Sequence, residues 1–264
     1  MNLEKTFAAS QIHEEWVSVY RSDPIQNKFN DQIMDRIMGH LNPRPGAVFL
    51  DAGCGTGDHA VRIAQRGYPC IGVDISERVL CKAWNKAAEA DLRFSLSFTC
   101  QPLENLAFSD NAFDFVHCRG VLMHIPDWEA ALDNLCRVLK PGGRIVILEA
   151  NHTSLETALV LLTRRIKKGK SRIVETPGGL EHWSEENGNP FVARTANIKY
   201  IMRILESHRI NVVKRFSTEF WDINRFPAGI ARSLAIRFNQ LWFFLRLSAS
   251  LSAGNAIIGE KRLG

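Results

Sequence analysis

The stretch Val48-Phe49-Leu50-Asp51-Ala52-Gly53-Cys54-Gly55-Thr56-Gly57-Asp58 opens with an apolar run. The run is too short for a helix and rich enough in bulky residues for a buried strand. Three glycines follow at alternate positions, where the backbone can turn sharply and approach a ligand closely. The apolar residues beyond the turn have helical spacing (Ala60, Val61, Ile63 and Ala64). The pattern predicts a strand, a tight turn and a helix whose first amides face a nucleotide.

The charges around this turn indicate which kind of nucleotide it takes. In a dinucleotide fingerprint counted from Gly53, the third glycine would fall at Asp58, where a carboxylate repels a pyrophosphate. Asp51 adds a second negative charge at the end of the strand. Two carboxylates suit a nucleoside with a cationic end, such as S-adenosylmethionine with its ammonium and sulfonium groups. A plain structural turn is the alternative.

A second apolar run, Cys70-Ile71-Gly72-Val73-Asp74, ends in an acid nineteen residues past the middle glycine. An acid at that place can accept hydrogen bonds from both ribose hydroxyls. Together with Asp51, its position favours a nucleoside site over a plain turn.

Composition narrows the class of protein. A chain of 264 residues fits one domain with insertions or one domain plus a cap. The N-terminal residues do not read as a signal peptide, and no apolar run is long enough to cross a bilayer. The six cysteines are widely spaced, which disfavours a zinc cluster or disulfide framework and predicts a reducing cytoplasm. The net charge of +5 includes a dense basic run over residues 164–172.

A helix is expected from about Asn27 to Leu41, and another, capped by Asp127, is expected to run to Lys140, where Pro141-Gly142-Gly143 stops it. Strand and helix patterns alternate through the middle of the chain. They predict an α/β fold with a parallel sheet and helices on both faces. Three regions follow: an N-terminal helical lid (1–46), a nucleotide-binding core (47–150) and a remainder with cap insertions at about 151–195 and 220–252 (151–264). A helix over 3–21 would carry Trp16 and Tyr20, either packed on the core or closing over the nucleotide.

Four stretches carry a resemblance to a known family: Leu50-Asp51-Ala52-Gly53-Cys54-Gly55-Thr56-Gly57, Gly72-Val73-Asp74-Ile75-Ser76, Asn105-Leu106-Ala107-Phe108 with Phe113-Asp114, and Arg137-Val138-Leu139-Lys140-Pro141-Gly142-Gly143. The sequence resembles the class I S-adenosylmethionine-dependent methyltransferases, in their small-molecule, UbiE-like branch. The resemblance spans about residues 47–150. It implies a Rossmann-like sheet of seven strands, mostly parallel with an antiparallel last strand.

The resemblance also implies roles for individual residues. Asp51, Gly53 and Gly55 would line the methionine and ribose part of the cofactor, with the amino group near the Gly53 carbonyl. Asp74 would hold the ribose hydroxyls, and Ile75 would pack on the adenine.

The adenine contact departs from the family pattern. Many members have an acid where this chain has Pro102, so the contact falls to the Gln101 side chain and the Leu103 backbone. Cys118 and Arg119 would lie beside the transferable methyl group.

His124 lies in Val121-Leu122-Met123-His124-Ile125-Pro126, where family members often have a histidine. It is the candidate catalytic residue, because a group with near-neutral pKa can take a proton from a hydroxyl or amine. The alternative is a packed, hydrogen-bonded histidine, since methyl transfer often needs only alignment and desolvation. No metal ligand set is predicted.

The last third of the chain is expected to determine which acceptor binds. We expect a helix from Thr153 to about Lys168, a loop over 176–195, and a helix that Thr195 caps. Strands are expected at 210–216 and 256–261. Between them, an aromatic-rich basic helix over 230–247 has three interpretations: a cap on the core or on a second subunit, a wall of an apolar pocket, or a helix on an anionic membrane surface.

The leading hypothesis is methyl transfer to a small acceptor, with O-methylation of a natural product, sugar or lipid-like compound favoured. N- or C-methylation, for example of a quinone-like acceptor, is the alternative, and a non-catalytic S-adenosylmethionine-binding module is another. A nucleic-acid partner is disfavoured, because the basic run lacks interleaved aromatic residues. Peripheral membrane contact and a homodimer remain open.

Overall fold

A computed structural model describes residues 23–167, 172–186 and 189–263. The predicted N-terminal helix, including Trp16 and Tyr20, lies outside the described residues, as do the side chains of most of the basic run. The strands described are β1 (Phe49–Ala52), β2 (Cys70–Asp74), β3 (Leu96–Cys100), β4 (Phe113–Arg119), β5 (Leu139–Ala150), β6 (Arg172–Thr176), β7 (Gly179–Glu186), β8 (Asn189–Ala196), β9 (Ile210–Glu219) and β10 (Gly254–Lys261).

Seven of these strands form one sheet in the order β3-β2-β1-β4-β5-β10-β9. β1 pairs in parallel with β2 and β4, and β10 runs antiparallel to both β5 and β9. The predicted fold class, with its antiparallel last strand, is confirmed. Because the carboxyl ends of β1, β2, β4 and β5 meet at one edge, the polar residues that end those strands converge there.

The helices cover both faces of this sheet. They are α1 (Pro24–Leu41), α2 (Asp58–Ala64), α3 (Glu77–Glu89), α4 (Trp128–Val138), α5 (Leu155–Lys167), α6 (Ile198–Ser207) and α7 (Ile230–Phe244). On one face, α1, α2, α3 and α7 pack on Phe49 and Phe115, and on the other α4 and α6 pack on Leu50 and Val116.

Helix ends follow local chemistry. α1 begins at Pro24, three residues earlier than predicted, because the Asp23 side chain accepts hydrogen bonds from the amides of Ile25 and Gln26. α4 ends at Val138, two residues before the predicted Lys140, and β5 already begins at Leu139. Lys140 precedes a proline and therefore disfavours the helical conformation.

The predicted loop over 176–195 is wrong. β6, β7 and β8 form a separate three-stranded antiparallel sheet. In β8, burial alternates along Val192, Arg194 and Ala196, but the middle buried position is an arginine, which hides the apolar alternation that marks a strand. Thr195 lies within β8, and Asn197 caps α6 by accepting from the Tyr200 amide.

The remaining elements lie close to their predicted positions. β9 and β10 cover both expected C-terminal strands, and α7 ends three residues before the predicted Leu247. Among the described residues, no helix has the length and apolar character required to cross a bilayer. The three predicted regions, 1–46, 47–150 and 151–264, remain a prediction.

Candidate active site

The glycine turn after β1 holds a conformation that other residues adopt with strain. Gly53, Gly55 and Gly57 have φ angles of 67°, 54° and 76°. A Cβ atom added to Gly53 would lie 2.3 Å from Cγ2 of Val121, so the turn passes directly against the segment that follows β4. The Cys54 amide donates to the Val73 carbonyl at 2.8 Å, which ties the turn to β2. The turn is thus held from both neighbouring strands.

Asp74 ends β2 and binds the same turn. Its Oδ2 accepts from the Gly55 amide at 2.9 Å and its Oδ1 from the Ser76 amide at 3.0 Å. A carboxylate oxygen can accept more than one hydrogen bond, so these contacts leave capacity for ribose hydroxyls. The ribose contact itself remains a prediction.

The sequence predicts that the Asp58 carboxylate presents its charge to the ligand, but in the structure it binds two neighbouring side chains. Its Oδ1 lies 2.7 Å from Nζ of Lys86, and its Oδ2 accepts from the Thr56 hydroxyl at 2.6 Å. The charge of Asp58 is therefore paired within the protein. Asp51 and Asp74 are the acids that remain near the ends of β1 and β2.

Asp51 pairs with a histidine that the sequence analysis missed. Nδ1 of His117 lies 2.8 Å from Oδ1 of Asp51, and the two side chains are 2% and 3% exposed. The other polar atoms, Oδ2 of Asp51 and Nε2 of His117, are buried without a hydrogen-bond partner. A buried carboxylate oxygen left open beside the glycine turn fits a cationic group such as an ammonium. A polar residue inside the apolar run of β4 was the signal that could have identified His117.

The polar layer extends from His117 towards the end of β4. The rings of His59 and His117 are 5.1 Å apart, and an Arg119 guanidinium nitrogen lies 3.4 Å from Nε2 of His59. Arg119 therefore lies in the polar layer at the carboxyl end of β4. Its contact with a transferable methyl group remains a prediction.

Cys118 points away from this layer. Its side chain is fully buried in the apolar cluster beneath α4. Burial, with Glu149 and Asp51 nearby, raises the pKa of the Cys118 thiol well above its usual range. Any part that Cys118 plays in the site therefore falls to its backbone.

The residues expected around the adenine lie together after β2 and β3. The Gln101 side chain accepts from the Ala107 amide at 2.8 Å and donates to the Thr99 hydroxyl at 3.2 Å, so it braces its own loop. Leu103 is buried and Ile75 is half-buried beside this loop. Their adenine contacts remain a prediction.

His124 lies in a short 3₁₀ turn, Leu122–His124, beneath the small sheet. Its Nδ1 is 3.0 Å from the Val192 carbonyl, and its ring lies 5.0 Å from that of Phe191. A carbonyl only accepts, so Nδ1 carries the proton, and in the neutral ring the lone pair is on Nε2. Both the base and the structural interpretation are compatible with this contact.

Two further buried residues fix the turn that carries His124. Oε1 of Glu149, which is 4% exposed at the end of β5, accepts from the Leu122 amide at 3.1 Å. From the opposite side, Arg194 donates to the carbonyls of Leu122 and Ile125 at 2.8 and 3.2 Å. Arg194 also pairs with Glu181 at 2.8 Å. The small sheet is thus attached to the segment after β4 by a buried guanidinium.

Two carboxyl groups at the carboxyl edge of the main sheet have raised pKa values. Burial raises the pKa of Glu149 to about 7, although backbone amides and Arg194 act in the opposite direction, and its Oε2 has no hydrogen-bond partner. Burial also raises the pKa of Glu219 to about 7, while Arg119 lowers it. Gly254 makes room for Glu219, because a Cβ there would lie 2.6 Å from its Cγ. Sequence analysis could have flagged Glu149 as a charge that ends an apolar strand.

Two features define the fold of the S-adenosylmethionine-dependent methyltransferases. They are the strand order of the main sheet and a glycine turn between two strands that each have an acid near the carboxyl end. Residues 50–147 match the family described as Methyltransferase domain. This match over residues 50–147 confirms the resemblance found in the motifs of that stretch.

Curated relatives and a solved structure agree with this assignment. The demethylmenaquinone methyltransferase of Shouchella clausii is 29% identical over 55% of this chain and 65% of its own length. That of Staphylococcus aureus is 34% identical over 46% and 50%. This chain thus spans between half and two thirds of the relatives it matches.

The magnesium protoporphyrin IX methyltransferase of Synechocystis PCC 6803, solved with bound S-adenosylhomocysteine (SAH), has the same fold. It superposes with a TM-score of 0.63 over 98% of each chain, at 18% identity. At the level of the family, these comparisons confirm the predicted methyltransferase class and S-adenosylmethionine as the cofactor of that class.

Proposed function

We propose that this chain transfers a methyl group from S-adenosylmethionine to a small-molecule acceptor. The observation that carries the proposal is the buried, unpartnered Oδ2 of Asp51 beside a glycine turn within a methyltransferase domain. An unpaired carboxylate oxygen is costly to bury, and an ammonium group would satisfy both its charge and its hydrogen bonding. A module that binds the cofactor without catalysis is the alternative.

The residues around the turn bind different parts of the cofactor. Asp51 binds the ammonium, Asp74 receives the ribose hydroxyls, and Ile75 with the 101–107 loop covers the adenine. When bound, S-adenosylmethionine supplies an electrophilic methyl group on a sulfonium. The protein's own work is to hold the acceptor in line with that group and to exclude water.

The second task of the site is to remove a proton from the acceptor. The acceptor atom that gains the methyl group must lose a proton, and we assign the acceptance of that proton to Nε2 of His124. The tautomer that the Val192 carbonyl favours has its lone pair on Nε2 in the neutral ring, and Nε2 is the atom that this step uses. Glu149 holds the backbone of the same turn from beneath and so fixes the direction of the imidazole.

For the acceptor, we propose a ring that carries a hydroxyl group, in the class of reduced quinones. The names of both curated relatives support this alternative over O-methylation of a sugar or other natural product. Removing the hydroxyl proton makes both the oxygen and the adjacent ring carbon nucleophilic. One base can therefore serve O- or C-methylation, and the product decides between them.

Two measurements test the proposal. Calorimetry should detect binding of S-adenosylhomocysteine, and an absence of heat at about 100 μM ligand would overturn both methyl transfer and the binding module. Labelled S-adenosylmethionine is then supplied with a reduced quinone lacking a ring methyl group, and separately with a cell extract. Methylated product, located by mass spectrometry, supports catalysis, whereas binding without product from either source favours the module.

A further inference from the structure

Helix α7 has apolar residues on two opposite faces. Ala235, Ile236 and Phe243 are buried on one face, and Phe243 packs in the core cluster between the sheet and α1. The opposite face carries a stripe at intervals of three and four residues: Ile230, Leu234, Phe238, Leu241 and Leu245. These five side chains are between 41% and 82% exposed. A helix that needs only one apolar face for its own packing therefore presents a second one to the outside.

The exposed stripe is long and continuous. From Ile230 to Leu245 it extends about 22 Å at the rise of an α-helix. Phe244, 77% exposed, adjoins the stripe, and Leu247 and Leu251 continue the apolar surface beyond the helix at 40% and 49% exposure. Scattered exposed apolar residues are ordinary, but a contiguous row of this size marks an interaction surface.

A groove adjoins this surface where α7 meets the first turns of α1. It encloses about 800 Å³, and its walls include Ile25, Leu241 and Phe244. Lys28 and Arg237 also line it and bring positive charge to an apolar cleft. Long basic side chains of this kind can lie along apolar surface while their charged ends contact anions.

The segment that carries the stripe has charges of one sign. Between Asp222 and Glu260 the sequence contains four arginines and no acidic residue. Arg237 and Arg246 are exposed, and in the part of the chain that the structure describes neither forms an ion pair. Positive charges beside an outward apolar stripe favour a partner that is both apolar and anionic.

We propose that the outer face of α7, with the groove beside α1, docks on the surface of an anionic phospholipid bilayer. The apolar stripe enters the boundary between headgroups and acyl chains, and Lys28, Arg237 and Arg246 contact lipid phosphates. A second copy of the chain fits less well, because a two-fold contact would set the same acid-free, arginine-bearing surface against itself. The proposal concerns a surface and does not depend on the methyl transfer proposed above.

Vesicle flotation tests the docking with the full chain. The probes are vesicles of phosphatidylcholine alone and of phosphatidylcholine mixed with phosphatidylglycerol. The wild type should float with the mixed vesicles, much less with the neutral ones, and less as salt is raised. The double variant Leu234→Glu/Leu241→Glu should lower the partition coefficient on mixed vesicles at least about tenfold.

A matched control also replaces two exposed apolar residues by glutamate, at positions outside α7. Phe94→Glu/Leu263→Glu replaces residues that are 104% and 81% exposed, one in the segment before β3 and one after the end of β10. It should retain wild-type flotation, and both double variants should retain S-adenosylhomocysteine binding as a measure of folding. The proposal is overturned if the wild type stays unbound on mixed vesicles, or if the control loses as much binding as the α7 variant. Sedimentation of the wild type as a dimer that only the α7 variant dissociates would assign the surface to a second copy instead.

Discussion

The Nδ1 atom of His117 lies 2.8 Å from Oδ1 of Asp51, in a pair that neighbouring parallel strands place directly opposite each other. The pair orients the carboxylate so that Oδ2 stays open beside the glycine turn. We therefore assign His117 as a positioning residue for the acid that receives the cofactor's ammonium.

This assignment predicts a selective loss of affinity. His117→Val removes the donor to Asp51 and should weaken S-adenosylhomocysteine binding by about 1.5–3 kcal/mol, the range for a hydrogen bond to a charged group. Binding of 5′-methylthioadenosine, which lacks the amino-acid part, should change little. His117→Asn, whose amide can still donate near Oδ1, should recover part of the loss. Calorimetry with both ligands measures this, and an equal loss for both would reject the positioning role.

Gly53 should tolerate no side chain. In Gly53→Ala, the new Cβ would overlap Val121 and the φ of 67° would be strained. Gly46→Ala is the matched control, because Gly46 has a φ of 79° and open space around it. Both variants should lose about 1 kcal/mol of unfolding free energy through strain. A further loss, together with loss of S-adenosylhomocysteine binding, is expected for Gly53→Ala alone, and similar behaviour of the two variants would contradict the close approach.

The base role of His124 is open to a direct test. His124→Asn keeps an amide donor near the Val192 carbonyl but removes Nε2. If Nε2 accepts the acceptor's proton, the rate of methyl transfer should fall about 10²- to 10⁴-fold, with unchanged cofactor affinity. A loss below about tenfold would leave the structural interpretation of His124 in place. Single-turnover rates with labelled cofactor make the measurement independent of product release.

Glu149 predicts a pH dependence of stability. Burial raises its pKa in the folded protein to about 7 from the ordinary value of 4.5, so the folded state binds more protons than the unfolded state between those values. The stability of the wild type should therefore fall as pH rises through this window, by up to about 3 kcal/mol from this group. Glu149→Gln, which still accepts from the Leu122 amide, should gain stability relative to the wild type as pH rises from 5 to about 8. Urea unfolding at several pH values checks this.

The control for that experiment is Glu206→Gln, an exposed carboxyl group on α6. Its stability difference from the wild type should stay constant with pH. Glu219 titrates in the same range, and since it is present in both proteins compared, it cancels from the difference. A flat difference curve for Glu149→Gln would mean that Glu149 is ionised when folded.

Arg194 should couple the small sheet to the site. Arg194→Met breaks the pair with Glu181 and leaves the Leu122 and Ile125 carbonyls without their donor, which should cost about 3–5 kcal/mol of unfolding free energy. Arg194→Lys retains the charge but loses the forked geometry and should fall between. The exposed Arg203→Lys serves as control. In Arg194→Lys we expect a raised KM for the acceptor and unchanged S-adenosylhomocysteine affinity. A raised dissociation constant for S-adenosylhomocysteine would instead place Arg194 on the cofactor side.

The local features of the cofactor half could be predicted because each depends on neighbours along the chain. The strand to Asp51, the glycine turn, the strand to Asp74 and the proline-glycine stop near Pro141 are all short-range patterns. The small sheet could not, because Arg194 occupies an inward position of β8. Its burial makes sense only beside Glu181 on β7 and the carbonyls after β4, which are distant in the sequence.

The sequence by itself determined the strand–turn–helix at residues 48–64 and the acids near the ends of β1 and β2, and the family resemblance of its motifs implied the seven-stranded topology. Tertiary structure decided how those acids are used: Asp58 is paired with Lys86, Asp74 binds the turn, and Asp51 is oriented by His117. Turns and strand ends follow from local conformational preference, whereas the charge that a carboxylate presents to a ligand depends on its partners. Those partners come from strands and helices that only the folded chain brings together.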